Sequence, residues 1–257
     1  RSDLSNQMTL PASFFARPFT HRALHNRKAG RVENSIKSID AAINAGYGIE
    51  IDVQLTRDGQ AMVFHDDLLD RLTGETGPVR SKTQRELETI PLTDDGGMIP
   101  SLETVLELVA GQVPLLIEIK DQDGEMGPNV GPLEKATCAA LAQYKGDVAL
   151  MSFNPHAVAK CAQFAPHLPR GLTTSSYEAV FWPEVPAETR DILREIPDYD
   201  RVGACFISHE STDLARPRVV ELKSEGARIF TWTIRSAKEE AEARRIVDNI
   251  TFEGYLA

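Results

Sequence analysis

Short β-rich runs alternate with helical patterns along nearly the whole of this 257-residue sequence. About eight strand signals occur, and a helical pattern separates most of them, which is typical of parallel βαβ units. At this chain length the alternation predicts an α/β fold of the (β/α)8 TIM-barrel type, since such barrels take about 250 residues. An open doubly wound sheet is the alternative. Against that alternative, no Gly-x-Gly-x-x-Gly turn follows the first predicted strand.

The predicted elements follow from hydrophobic periodicity. Strands are predicted at residues 19–22, 49–55, 61–65, 114–119, 148–153, 170–174, 204–208 and 228–234, with 250–256 as a further candidate. Helices are predicted at residues 33–45, 102–109, 132–144, 155–164, 214–225 and 237–247. Residues 66–100 show weak periodicity and predict an inserted segment after an early strand, rather than a core element. Residues 177–199 are predicted to be irregular, and residues 1–257 to form a single TIM-barrel domain.

Charge limits the partners of the chain. Lys and Arg number 28 and Asp and Glu number 38, which gives a net charge of −10. Because binding to a phosphate backbone needs a basic face, neither nucleic acid nor an anionic membrane is an expected partner. No run approaches the roughly 18 apolar residues of a membrane span, so stable membrane insertion is not expected. A cytoplasmic location is the expectation, while a leader removed before Arg1 and the oligomeric state stay open.

Two acidic residues share one face of the second predicted strand. Glu50 and Asp52 alternate with Ile49, Ile51 and Val53, so the acids lie on one face and the apolar residues on the other. In a barrel the apolar face packs under the helices, and the acids therefore point inward. The alternative, an outward polar face on an edge strand, leaves the apolar residues without a place to be buried. Carboxylates gathered in a low-dielectric interior repel each other unless a cation neutralises them.

Glu118 and Lys120 repeat this spacing at the end of a strongly apolar strand. A glutamate there is costly unless it is paired. An ion pair between the two residues at the barrel rim is one interpretation. A cation shared by Glu118 with Glu50 and Asp52 is the other. Three carboxylates without a thiolate are typical of a site for a hard divalent ion, Mg²⁺ or Ca²⁺.

Two histidines stand where apolar strands end. His21 follows Phe19-Thr20, and His65 follows Val63-Phe64. Taken singly, each is more often a structural residue, but together with three acids they form a candidate general acid–base pair. Arg22 is a candidate anion clamp or a partner in a rim salt bridge. The remaining histidines are expected to be solvated; they are His25, His156, His167 and His209.

Seven segments occur in an order that resembles the glycerophosphodiester phosphodiesterase family. They are His21-Arg22-Ala23, Glu33-Asn34-Ser35, Gly48-Ile49-Glu50-Ile51-Asp52-Val53, Thr56-Arg57-Asp58-Gly59, Val63-Phe64-His65-Asp66, Pro100-Ser101-Leu102-Glu103 and Ile117-Glu118-Ile119-Lys120. Ser152-Phe153 and Thr231-Trp232-Thr233 resemble later motifs of that family. The resemblance runs from about residue 20 to the last predicted strand.

This resemblance implies a TIM barrel that hydrolyses small glycerophosphodiesters to glycerol 3-phosphate and an alcohol. It implies one divalent cation held by Glu50, Asp52 and Glu118. It also implies an acid–base role for His21 and His65. Phosphate would contact Arg22 and Lys120, and Trp232 is a candidate for the wall of the substrate pocket. Residues 66–100 match the position of the inserted cap in that family.

Three positions depart from the family pattern, and three other functions stay open. Ala23 replaces a common glycine, Ser35 replaces a common threonine, and Arg235 stands where a small polar residue is frequent. None of them removes a candidate ligand or acid–base residue. The alternatives are a phospholipase-type lipid phosphodiesterase on the same barrel, a non-catalytic phosphate-binding barrel, and an unrelated metal-dependent isomerase or lyase.

Overall fold

The computed structural model describes residues 8–257. Its strands are β1 (Phe19–Thr20), β2 (Gly48–Leu55), β3 (Ala61–Val63), β4 (Leu115–Ile119), β5 (Val148–Ser152), β6 (Arg170–Thr174), β7 (Phe206–Glu210), β8 (Arg228–Ile234) and β9 (Asn249–Phe252). Its helices are α1 (Ile36–Ala45), α2 (Gln84–Leu87), α3 (Leu102–Val109), α4 (Pro132–Leu141), α5 (Pro155–Phe164), α6 (Ala187–Arg194), α7 (Pro217–Ser224) and α8 (Ala237–Ala243).

Over residues 8–257, eight parallel strands form a closed ring. The ring runs from β1 through β2, β4, β5, β6, β7, β8 and β9 back to β1. Strand β3 lies outside the ring and pairs antiparallel with β2 through the turn at residues 56–59. The predicted (β/α)8 barrel is confirmed. The open doubly wound sheet is wrong, because β1 pairs with both β2 and β9 and so leaves no open edge between them.

The two faces of β2 differ as the alternation predicts. Ile49, Ile51 and Val53 pack with Ile39 of α1 and Val105 of α3 in a buried cluster between the sheet and the helices. Glu50 and Asp52 point the other way, and each is only 2% exposed. Both acids are therefore inside the barrel, where water cannot solvate them freely.

Aromatic and aliphatic side chains fill the amino-terminal half of the barrel. Phe19 and Phe230 meet there with Phe14 of the 3-10 helix Ala12–Phe15, which closes this end. Gly48 makes room for this packing, since a Cβ atom on it would lie 2.8 Å from the Phe19 ring. The packed floor leaves the carboxyl end of the barrel for polar side chains.

The stretch between β3 and α3 builds a small core of its own. Its apolar side chains pack with one another and with Val32, Met62 and Phe64; they are Leu69, Leu72, Val79, Leu87, Ile90, Leu92 and Ile99. Helix α2 lies in this segment and begins at a Thr83 cap. The weak periodicity of residues 66–100 therefore indicates a segment outside the barrel. It does not indicate a segment without buried residues.

Several predicted boundaries move by a few residues. Strand β1 ends at Thr20 rather than residue 22, because Arg22 and Ala23 take up left-handed backbone conformations. Helix α1 begins at Ile36 rather than 33, because the Ser35 hydroxyl caps it by accepting from Ser38 N. Strand β9 spans Asn249–Phe252 rather than 250–256.

Residues 177–199 are not wholly irregular. They contain α6, which begins at Ala187 directly after Pro186. Within the part of the chain that the structure describes, no helix is long and apolar enough to cross a membrane.

Candidate active site

Three buried carboxylates meet inside the carboxyl half of the barrel. Glu50 and Asp52 come from β2, and Glu118 comes from the neighbouring β4, where it is the register partner of Asp52. One carboxylate oxygen from each residue lies within 4.8 Å of those of the other two. The acids that the sequence singled out on two separate segments are therefore brought together. Such a group of hard oxygen donors could hold a divalent cation.

Burial and neighbouring charges act on Glu50 in the same direction. Removal from water raises the pKa of its carboxyl group well above the ordinary value, and the charges of Asp52 and Glu118 raise that pKa further. Burial would raise the pKa of Asp52 as well, but the charges of His65 and Lys120 outweigh it and lower this pKa to about 2. The surroundings of Glu50 therefore disfavour its ionised form.

Glu50, Asp52 and Glu118 together form the acid cluster. Lys120 contacts both this cluster and a histidine. Its Nζ atom lies 2.6 Å from Glu118 Oε2 and 3.4 Å from His65 Nε2. The ion pair considered for Glu118 and Lys120 is therefore present, and the same Glu118 also belongs to the acid cluster. The two interpretations of this strand end are compatible.

Arg22 is paired with an acid outside the cluster. Its NH1 group donates to Glu33 Oε2 at 2.6 Å, and its Nε lies 3.9 Å from Asp52 Oδ2. Arg71 binds the other oxygen of Glu33. Among the described residues, the buried Nε of Arg22 has no hydrogen-bond acceptor. The guanidinium is thus fixed beside the cluster with its Nε donor still available to an anion.

Asn34 is a site residue that was not predicted from the sequence. Its amide donates to Asp52 Oδ2 at 3.1 Å, and its Oδ1 accepts from the Asp52 backbone N–H at 3.3 Å. The backbone of Asn34 is left-handed, with φ of 55°. The amide therefore orients a carboxylate of the cluster, and its place in a quoted motif was the available signal.

Both candidate acid–base histidines border the acid cluster. His21 Nε2 lies 3.9 Å from Glu50 Oε2, and the His21 ring is half-buried. His65 Nε2 faces Lys120, as described above. On the opposite side of each ring, Nδ1 contacts a carboxylate: Glu253 at 2.7 Å for His21, and Asp66 at 2.8 Å for His65. Because an ionised carboxylate only accepts, Nδ1 carries the proton in both rings and Nε2 is free of it while the ring is neutral.

Glu253 was missed in the sequence. Its Oε1 also accepts from His25 Nε2 at 3.0 Å, and its Oε2 accepts from Arg235 Nε at 3.0 Å. His25 was expected to be solvated but is half-buried in this contact. Arg235, which departs from the family pattern, thus contacts the carboxylate behind His21. A charged residue directly after an apolar strand was the signal, and extending that strand to residue 256 hid it.

His209 was expected to be solvated, and this is wrong. It is fully buried on β7, where its Nδ1 lies 2.7 Å from Thr174 Oγ1 and its Nε2 lies 2.9 Å from Asp213 Oδ2. The predicted strand ended at residue 208, whereas β7 runs to Glu210. The shift of two residues moved His209 from a loop into the sheet.

A cavity of about 200 Å³ adjoins the acid cluster. Its walls include Glu118, Lys120 and Phe153 on one side and the segment from Phe181 to Val185 on the other. Phe153 packs edge-on against Trp182 and Trp232, with ring centroids 4.7 and 5.7 Å away. Trp232 lies behind Phe153 and donates its indole N–H to Ser208 O at 3.0 Å. Tyr177 is buried and packs the same loop onto the barrel.

A wider cavity of about 830 Å³ lies at the opposite, amino-terminal end of the barrel. Arg170, Cys205 and Arg228 are among its lining residues. Barrel enzymes carry their chemistry at the carboxyl ends of the strands, and the acids and both imidazoles lie there in this chain. The smaller cavity is therefore the one that belongs to the candidate site.

A closed barrel with acids and two imidazoles at the carboxyl ends of its strands is the arrangement of a barrel enzyme. The chain belongs to the glycerophosphoryl diester phosphodiesterase family, because the family model matches residues 21–250. The chain is therefore a phosphodiesterase. The family resemblance of its motifs is confirmed.

Individual relatives agree with this assignment. A glycerophosphodiester phosphodiesterase of Bacillus subtilis is 28% identical over 249 residues, which cover 87% of this chain and 78% of that protein. One from Caldanaerobacter subterraneus is 33% identical over 150 residues, which cover 54% of this chain and 60% of that protein. A phosphodiesterase of Oleispira antarctica, solved with the product sn-glycerol-3-phosphate, shares the fold with a TM-score of 0.76. Its identity is 22%, over 95% of this chain and 94% of that chain.

Proposed function

We propose that this chain hydrolyses glycerophosphodiesters to glycerol 3-phosphate and an alcohol, using one divalent cation, Mg²⁺ or Ca²⁺, and His21 with His65 as the acid–base pair. One observation carries the proposal: two imidazole Nε2 atoms flank three buried acids. His21 Nε2 is 3.9 Å from Glu50, and His65 Nε2 is 3.4 Å from the ammonium that pairs with Glu118. A product-bound relative of the same fold agrees with the substrate class.

The donor set fits a hard divalent cation. Glu50, Asp52 and Glu118 would hold it, since their carboxylate oxygens lie within 4.8 Å of one another and are buried. Burial and the neighbouring charges of Asp52 and Glu118 raise the pKa of Glu50, and a bound divalent cation would favour its ionised form. When bound, the ion supplies Lewis-acid polarisation of the phosphate and a template that orients the substrate.

The protein's own groups bind the anion and move the protons. Arg22 Nε is buried without an acceptor among the described residues, so a phosphate oxygen would satisfy it. Lys120 adds a second positive charge beside the cluster. One of His21 and His65 takes the proton from the nucleophile, and the other protonates the departing alkoxide oxygen. The nucleophile is water, or it is the neighbouring glycerol hydroxyl, which forms a cyclic phosphate that water then opens to glycerol 3-phosphate. Nε2 is the atom that acts in both rings, because Nδ1 is engaged with a carboxylate.

The inserted segment, residues 66–100, is proposed to cap this site within the single catalytic domain predicted for residues 1–257, of which residues 1–7 lie outside the described part of the chain. The segment supplies Asp66, which contacts His65, and Arg71, which bonds both Asp66 and Glu33. Glu33 in turn holds Arg22. The cap therefore contacts an acid–base residue directly and reaches the proposed phosphate clamp only through Glu33. Trp232 is proposed to support the pocket wall through its contact with Phe153.

A coupled assay for glycerol 3-phosphate tests the function. Purified protein is incubated with glycerophosphocholine or glycerophosphoethanolamine, before and after exhaustive chelation and after addition of Mg²⁺ or Ca²⁺. We expect activity that chelation abolishes and a divalent ion restores. His21→Ala and His65→Ala should each reduce kcat by roughly 10²–10⁴-fold, whereas His167→Ala, at an exposed position, should not. Full activity after chelation, or in either histidine variant, would contradict the proposal.

Lipid phosphodiesters are a second candidate substrate class. Val180 and Phe181 are each 74% exposed, and Phe181 lines the cavity beside the acid cluster. Two protruding apolar side chains at a pocket mouth favour contact with a lipid surface. Long-chain lysophosphatidylcholine presented in vesicles discriminates the two candidates. A higher kcat/KM for it than for glycerophosphocholine, lost in a Val180→Ser and Phe181→Ser double variant, would favour the lipid substrate.

A further inference from the structure

The two candidate acid–base histidines have the same kind of support. In each case Nδ1 contacts a carboxylate, and an arginine holds that carboxylate from behind. Asp66 stands behind His65, and Arg71 Nε and NH2 donate to it at 2.8 and 2.9 Å. The equivalent group behind His21 comes from the other end of the chain. It is Glu253, and its Oε2 lies 3.0 Å from Arg235 Nε.

We propose that Glu253, held by Arg235, is the positioning residue for His21. This inference rests on the proposed acid–base role of His21. The Glu253 carboxylate accepts the Nδ1 proton of the imidazole, so the ring keeps its Nε2 atom unprotonated and turned toward Glu50. Without that acceptor the neutral ring could carry its proton on Nε2 instead, which would leave no lone pair on the atom nearest the acid cluster.

Closure of the barrel brings these two residues together. Glu253 directly follows β9, and His21 directly follows β1, its partner in the ring. The backbone N–H of His21 donates to the carbonyl of Phe252 at 2.8 Å, which fixes the two strand ends side by side. The 2.7 Å contact between the side chains of His21 and Glu253 is therefore held in place by paired strands rather than by a free loop.

The contacts of Glu253 keep it ionised. Burial alone would raise the pKa of this carboxyl group, but its hydrogen bonds to His21 and His25 outweigh burial and hold the pKa well below the ordinary value. Arg235 engages the second oxygen through both Nε and NH2, at 3.0 and 2.9 Å. An ionised carboxylate cannot donate, so it allows only one tautomer of the neutral His21 ring.

Arg235 allows a test that spares the core. Its side chain is 61% exposed, and an exposed ion pair adds little to folding stability. A substitution of Arg235 can therefore remove its contacts with the Glu253 carboxylate and leave the barrel folded. Arg245 is also exposed and is the matched control.

The experiment measures kcat and KM separately for Glu253→Gln, Glu253→Asp, Arg235→Met and Arg245→Met on glycerophosphocholine with saturating divalent ion. Glu253→Gln should lower kcat roughly 10- to 100-fold, by analogy with groups that orient metal-bound histidines, and KM should change less than about twofold. Glu253→Asp should recover part of the loss, Arg235→Met should show a smaller one, and Arg245→Met none. A wild-type kcat in Glu253→Gln would overturn the inference.

A second measurement reports the tautomer directly. The ¹⁵N resonances of His21, assigned by comparison with His21→Ala, should show a protonated Nδ1 and a free Nε2 in the wild-type protein at a pH where the ring is neutral. Glu253→Gln should raise the Nε2-protonated fraction. An unchanged tautomer would overturn the inference even if kcat fell, because a general loss of packing would then account for the lower rate.

A double variant separates this inference from the proposed function. If Glu253 acts through His21, Glu253→Gln should cost no further activity in a His21→Ala background. An equal loss in both backgrounds would overturn the positioning role alone. Wild-type activity in His21→Ala would instead contradict the proposed function.

Discussion

Lys120 Nζ lies 2.6 Å from Glu118 Oε2 at the carboxyl end of β4. Burial alone would lower the pKa of this ammonium, but the negative charges of Glu118 and Asp52 outweigh it and hold the pKa well above the ordinary value. The lysine is therefore charged, and it occupies one oxygen of the acid cluster. A divalent ion at that cluster would be repelled by the same charge that helps to bind phosphate.

Removing this charge should separate metal binding from turnover. Lys120→Met should lower kcat by roughly 10²-fold, the size expected for losing one group that stabilises the anion. Its affinity for the divalent ion should rise, by about tenfold, because a neighbouring positive charge has gone. Titration calorimetry with Mg²⁺ and Ca²⁺ measures the affinity, and Lys120→Arg, which keeps the charge, is the control. Weaker ion binding in Lys120→Met would contradict the competition.

Repulsion within the acid cluster should lower the stability of the ion-free protein. Glu50→Gln removes one of three buried carboxylates, so the ion-free variant should be more stable than the ion-free wild type. The free energy of unfolding should rise by about 1–2 kcal/mol, which is typical of a single stabilising substitution. For a chain of this size that corresponds to a rise in Tm of roughly 2–8 °C. Thermal unfolding followed by circular dichroism after chelation measures this rise.

The same variant should lose its response to ions. Adding Mg²⁺ or Ca²⁺ should raise the Tm of the wild type and leave that of Glu50→Gln nearly unchanged. Glu107→Gln, which removes an exposed acid from α3, should behave as the wild type. A Glu50→Gln protein that is less stable without ions than the wild type would show that the cluster is not electrostatically strained.

Stability should fall as the pH falls through the titration range of a buried histidine outside the site. Burial lowers the pKa of His209 below the ordinary 6.5, although its bonds to Asp213 partly oppose the shift. Below 6.5 the unfolded chain therefore binds a proton that the folded protein resists, and the free energy of unfolding decreases. Urea unfolding between pH 7.5 and 5 should show a shallower decrease for His209→Gln than for the wild type. An identical slope in the variant would assign the effect to other groups, and His167→Gln is the exposed control.

The face of β2 that carries the acids could be predicted because a strand has a strict period of two. Once Ile49, Ile51 and Val53 need a buried face, Glu50 and Asp52 must share the other. This local rule needs no knowledge of the rest of the chain. The barrel could be predicted from a different pattern, the alternation of strands and helices over the whole length of the chain.

Contacts between the first strand of the barrel, β1, and the last, β9, could not be predicted in this way. The contact of His21 with Glu253 joins residues 232 positions apart, and it exists only because β1 pairs with β9. His209 was misplaced because a boundary error of two residues exchanges a buried position for a loop. The roles of Arg71 and Asp66 depend on how the inserted segment folds back, and weak periodicity gave no indication of that path.

The charge of the cavity beside the acid cluster should influence which leaving groups the enzyme accepts. Asp67, Asp121 and Glu184 line it, whereas its one lysine, Lys120, is already paired with Glu118. A leaving alcohol with an added negative charge would therefore be repelled. We expect kcat/KM for glycerophosphocholine to exceed that for glycerophosphoserine, which carries an extra carboxylate, by about tenfold at low salt.

This preference should weaken when the charge of the cavity is reduced. An Asp67→Asn and Glu184→Gln double variant, at two exposed positions, should bring the ratio of the two kcat/KM values to about threefold. Added salt should reduce the wild-type ratio for the same reason, because mobile ions screen exposed charges. Glu188→Gln on α6 removes an exposed acid that does not line the cavity and should leave the ratio unchanged. Equal kcat/KM values for the two substrates at low salt would show that the leaving group does not enter this cavity.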